Sequence, residues 1–234
     1  MDPAHDRLTL AIEQTSVVRA PRQALATFGT TTVRYYLVTE PAYRDLPGAS
    51  SEPESVVREG TVHAERPQVV TPYYLSRHHG FGEHAQEYLD YLMSEYGPDS
   101  PGLLYTYKNE AMETSVVTGS PDEVSARIAE RLNREQKPLE AVVRGVDELW
   151  DVSLMKFIYE LTNDSARSNV SDLRQHGLLG VEDGVPKEAR RRIERLLALA
   201  REGSINPSEV HAELERWGLF DEYQDRFLTL FKER

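Results

Sequence analysis

Apolar positions change period along this chain, and the changes predict its elements. Residues 5–27 are weakly helical, with Leu8, Ala11 and Ile12 on one face, then Ala24 and Leu25 beyond an interruption at Pro21. The texture then turns β-branched and aromatic. Thr31 to Thr39 reads TTVRYYLVT and stops at Glu40-Pro41, as a strand should. Arg44 to Pro53, rich in Pro, Gly and Ser, predicts an exposed loop. Ser55–Arg58 and Thr61–Glu65, separated by Glu59-Gly60, predict a hairpin. Short strands are expected at Gln68–Thr71, Gly102–Tyr107 and Ser115–Thr118. A helix is expected between the first two, where Phe81, Ala85, Tyr88, Leu89, Leu92 and Tyr96 share a face before Gly97-Pro98.

From Ser120 the spacing is helical throughout. Ser120-Pro121-Asp122-Glu123 is a capping box, and Val124, Ile128 and Leu132 recur every fourth residue behind it. The run from Leu139 to Leu161 keeps helical spacing for about six turns and predicts a central buried helix. Three further helices are expected: one ending at His176-Gly177, one from Pro186 to Glu202, and one opened by Asn206-Pro207-Ser208-Glu209. A last helix carries Phe220, Tyr223, Phe227 and Phe231. The expected fold class is therefore α+β. A small antiparallel or mixed sheet with covering helices fills residues 1–135, and an all-helical bundle fills residues 136–234, divided at the polar break 134–138.

Composition narrows the function classes. The 234 residues are 39% hydrophobic with 12 Tyr, 6 Phe and 2 Trp, enough to bury a core. Apolar runs are broken by charge well short of the ~20 residues that span a bilayer. Asp2 and Asp6 stand where a secretory signal needs positive charge, so a cytosolic location is expected. Cysteine is absent, which removes thiol chemistry and iron–sulfur clusters. Net charge is −12, acidic in both halves, and predicts neither nucleic-acid nor membrane binding. Arg190-Arg191-Arg192 and Arg195 are interleaved with Glu188 and Glu194, as on a solvated helical face.

Candidate chemistry concentrates in Arg77-His78-His79-Gly80-Phe81-Gly82-Glu83-His84, at an expected strand-to-helix junction. A glycine-flanked loop opening a helix presents free N–H groups, and arginine with imidazoles adds charge and proton transfer. Arg77, His78, His79 and His84 are the candidate catalytic residues. The string is similar to the Arg-His-Gly signature of histidine phosphatases, but an extra histidine splits it. No second strand-end Arg or His pair follows. His79, His84 and Glu87 could converge on a metal, yet neither H-E-x-x-H nor paired E-x-x-H helices occur. Gly203 to Glu209 resembles the back half of an EF-hand loop, but the register puts Ala198 and Ala200 at its leading ligand positions. No cofactor and no metal are expected. The sequence predicts a non-enzymatic protein-interaction or regulatory module with a protein partner. A hydrolase or phosphoryl-transfer enzyme built on residues 77–84, with Lys108 as a further group, is the alternative. Oligomeric state is left open.

Overall fold

The computed structural model describes residues 3–44, 52–71, 74, 90, 93–95, 97 and 100–231. They fall into two compact units that are each discontinuous in sequence. The first unit takes Met1–Arg66 and Tyr105–Asn169, and the second takes Pro67–Leu104 and Val170–Arg234. This division does not follow the polar break at 134–138 between residues 1–135 and 136–234.

The first unit is a mixed sheet with helices on both faces. Its elements are helix α1 (Pro3–Gln14), strands β1 (Ser16–Arg19), β2 (Thr31–Glu40) and β3 (Glu54–Ala64), then β6 (Tyr107–Asn109) and β7 (Glu113–Thr118). Helix α2 (Pro121–Arg134), strand β8 (Glu140–Val146) and helix α3 (Trp150–Gln175) follow, α3 continuing past Asn169 into the second unit. The strand order is β1-β8-β2-β3-β6, with β7 also on β3. β2 runs antiparallel to β3 and parallel to β8. Strand alternation sorts β2 onto two cores. Val33, Tyr35 and Leu37 meet Phe157, Ile158 and Leu161 of α3, while Tyr36 and Val38 meet Val124 and Leu132 of α2. Each such large side chain, fully buried, contributes about 1.5–3 kcal/mol.

Three expectations for this region are corrected. The stretch 140–146 is a central strand, not the start of a helix, so the C-terminal half is not all-helical. Ala141, Val142 and Val143 are fully buried because β8 is covered on both faces, and a run apolar at every position mimics a helix stripe. Residues 54–64 form one unbroken strand rather than a hairpin. Gly60 is not a turn residue there. A Cβ at Gly60 would lie 2.4 Å from Tyr35 Oη, so the missing side chain makes room for the tyrosine ring. Beyond Gln14, the expected N-terminal helix gives way to β1, whose Val17 and Arg19 pair with β8.

The second unit holds β4 (Gln68–Val70) paired with β5 (Gly102–Leu104), and the small hairpin β9 (Val181–Glu182) with β10 (Val185–Pro186). Asp183 and Gly184 take φ of 51° and 77°, the two left-handed positions of a two-residue hairpin turn. Helices α4 (Lys187–Arg201), α5 (Pro207–Trp217) and α6 (Phe220–Thr229) complete it. Their apolar faces meet in one core, where Ile193, Val210 and Leu214 are fully buried with Trp217 and Tyr74 beside them. The expected capping boxes open α2 and α5. Among the described residues no helix is long and apolar enough to cross a membrane.

Candidate functional site

In a sheet with adjacent parallel strands, chemistry collects outside their carboxyl ends. β2 and β8 are such a pair, and they end side by side at Glu40 and Val146. A cleft of about 600 Å³ opens there, lined by Glu40, Arg44, Arg144, Asp147 and Glu148 among others.

Asp147 is the best-held group of this cleft. Its Oδ1 accepts from Arg58 Nη1 at 2.6 Å and from the Thr39 hydroxyl at 2.8 Å, and its Oδ2 accepts from the Ala42 backbone N–H at 3.0 Å. Burial opposes its ionisation, but those three donors outweigh burial and hold the carboxyl below its ordinary range. The Arg58 guanidinium lies 5.9 Å from the centroid of the Trp150 ring and donates to Thr39 Oγ1 at 3.2 Å. Both side chains of the pair are about 15% exposed.

The surrounding charges are paired as well. Arg44 meets Glu40 at 2.9 Å, Arg144 meets Asp122 at 2.5 Å, and Arg7 meets Glu148 at 2.7 Å. Each cation therefore stands against a carboxylate. An anionic ligand entering this cleft would meet cations that already carry a carboxylate neighbour. Both oxygens of Asp147 are engaged, Oδ1 by two donors and Oδ2 by one. The geometry suits a structural clamp that ties the loop after β2 to the start of α3 through Ala42, Arg58 and Trp150.

The sequence-predicted catalytic residues Arg77, His78, His79 and His84 lie outside the described residues, as does Glu87. The segment begins just after Tyr74, which is buried against Trp217 with ring centroids 4.6 Å apart and accepts from Arg216 Nη1 at 3.2 Å. Lys108 lies on β6 and is exposed. Among the described residues no three His, Asp or Glu side chains gather as metal ligands. Glu209, the last position of the EF-hand-like stretch, accepts from the Asn206 backbone N–H at 3.2 Å as part of its helix cap. In the basic run, Arg190 pairs with Glu222 at 2.6 Å and Arg192 with the buried Glu213 at 3.2 Å.

Sequence reasoning missed the Arg58–Asp147 pair, whose members are 89 residues apart. Reading 140–146 as helix hid the one available signal, an acid immediately after an apolar strand. No protein-family model, no curated protein and no solved structure matches the chain.

Proposed function

We propose that this is a non-enzymatic protein-binding or regulatory module whose contact face is the outer side of α3. One observation carries the reading. Met155 and Tyr159, one turn apart on α3, are 63% and 66% exposed, the most exposed of the large hydrophobic side chains described. The helix that presents them is fixed from behind. Leu154, Phe157 and Ile158 are buried against the sheet, and Lys156 Nζ donates to the carbonyls of Ile12 and Thr15 at 2.9 and 2.8 Å. A rigid helix with an apolar pair at i and i+4 suits the apolar ridge of a partner helix. The charges at the strand ends support the same reading, since each arginine of that cleft already stands against a carboxylate. The enzymatic alternative stands on residues 77–84 by sequence alone.

The test is a pair of variants, Met155→Glu and Tyr159→Glu, combined. Both side chains are exposed, so the melting curve should stay where it is. A partner crosslinked through a photoreactive side chain at position 155 should bind the double variant at least tenfold more weakly, about 1.4 kcal/mol. Equal affinity would sink this face. Hydrolysis of phosphate esters by the wild type, abolished by Arg77→Ala, would replace the module with an enzyme.

A further inference from the structure

The two edges of the six-stranded sheet are finished differently. β1 carries the usual safeguards against edge pairing. It is four residues long, its register on β8 shifts between Val17 and Arg19, and Arg19 turns its charge inward. That guanidinium is buried, donating to Asn133 Oδ1 at 2.8 Å and to the Lys137 carbonyl at 2.7 Å.

β7 at the opposite edge has none of these devices. Its six residues pair with β3 without a register shift, from Glu54↔Thr118 to Glu59↔Glu113. It contains no proline, and Thr114 to Thr118 carries no charge. Among the described residues its far side pairs with no strand. Every residue of β7 except Val117 is exposed, and Val116 is 54% exposed. A regular, open strand edge whose single charge sits at its end is a template for another strand.

We infer that β7 pairs with β7 of a second copy of this chain, antiparallel about a two-fold axis at Val116, joining two sheets into one. The strand is close to a palindrome about that residue. Antiparallel pairing centred on Val116 sets Thr114 opposite Thr118, Ser115 opposite Val117, and Val116 opposite itself. Glu113, the strand's single charge, falls opposite Gly119 rather than opposite its own copy. A chain of net charge −12 thus meets its copy along a segment where no like charges are opposed. Two six-residue strands make a small interface, below ~1,200 Å², so the dimer is weak and exchanges quickly. Added salt screens the repulsion between the acidic remainders and strengthens it. This inference is independent of the α3 face.

Sedimentation velocity across a concentration series, at low and high salt, reads it out. Wild type should shift from monomer to dimer with concentration, and at lower concentration in high salt. Val116→Lys and Val116→Glu place a charge against its own copy and should each remain monomeric. The position is exposed, so unchanged circular dichroism should confirm the fold of each variant. A one-to-one mixture of the two variants sets Lys against Glu and should recover the dimer. Amides of residues 113–118 should exchange more slowly in concentrated wild type than in dilute. A wild type monomeric throughout would overturn the inference. A Val116→Lys variant that dimerises like wild type, a mixture that stays monomeric, or amide exchange indifferent to concentration would do the same.

Discussion

Gly60 and Tyr35 stand opposite one another on β3 and β2, and a Cβ at Gly60 would meet Tyr35 Oη at 2.4 Å and Cζ at 2.6 Å. The Tyr35 hydroxyl donates to Asn109 Oδ1 at 3.0 Å, which holds the ring across the glycine. Gly60→Ala should therefore cost about 1–3 kcal/mol by overpacking, read from chemical denaturation. Adding Tyr35→Phe should recover only part of the loss, because Cζ remains in the way. Full stability in Gly60→Ala alone would show that the ring can move aside.

Asp147 gives the fold an acid-sensitive joint. Its folded-state pKa is depressed, so its contribution is complete above the unfolded value of about 3.9 and is lost as pH falls through the lower folded value. Asp147→Asn should cost roughly 1.5–3 kcal/mol at neutral pH, since Arg58 loses its charged acceptor. The variant should also show a flatter decline in stability below pH 4 than wild type. Parallel stability profiles in acid would count against the joint.

Asn169 organises the inner face of α3. Its Nδ2 donates to the Leu25 carbonyl and the Thr27 hydroxyl, each at 2.8 Å, while its Oδ1 accepts from the Tyr105 hydroxyl at 2.9 Å. Burial, helped by the neighbouring Tyr107, pushes Tyr105 up to about 12. Because the folded value lies above the ordinary one near 10, its contribution is present below pH 10 and drains away as pH climbs to 12. Asn169→Ala should cost at least about 1–3 kcal/mol at neutral pH through groups left without partners. A spectroscopic titration should show a late tyrosine ionisation that Tyr105→Phe removes.

A fragment of residues 1–135 should not fold. It retains β1 and β2, which have no direct pairing, and lacks β8, the strand lying between them. Circular dichroism should show no cooperative melt. A cooperative melt would mean that the remaining strands can close the sheet without β8.

What was legible in the sequence was local. Ser120 with Glu123 and Asn206 with Glu209 announce their helices, because a cap is satisfied within four residues. Thr31–Thr39 reads as a strand because β-branched and aromatic residues dominate it. Three of the failures, at β8, Gly60 and the Arg58–Asp147 pair, share one cause, long-range placement. Val142 faces α2 while Ala141 and Val143 face α3, so β8 has no polar side to betray its period. Gly60 looks like a turn until Tyr35 is known to lie over it. Asp183-Gly184 is a strong hairpin signal, overlooked because its strands have two residues each. The Arg58–Asp147 pair requires β3 and β8 to be already in place, which no window of sequence contains. Residues 77–84, the densest polar cluster of the sequence, lie outside the described residues, so their candidate chemistry stands on the sequence alone.

The partnership of β2 with β8 also sets a timetable for biosynthesis. Arg34 pairs with Glu140, and the whole second-unit segment 67–104 is translated before that partner exists. At ribosomal speeds of roughly 5–20 residues per second, β2 waits about 5–20 s for the strand that covers one of its edges. During that interval Tyr35, Leu37 and Val38, all destined for full burial, have no completed core to enter. The nascent chain is thus a natural client for a chaperone that holds extended apolar segments. Synonymous codons that slow translation between residues 67 and 140 should lower the soluble yield without altering a single side chain.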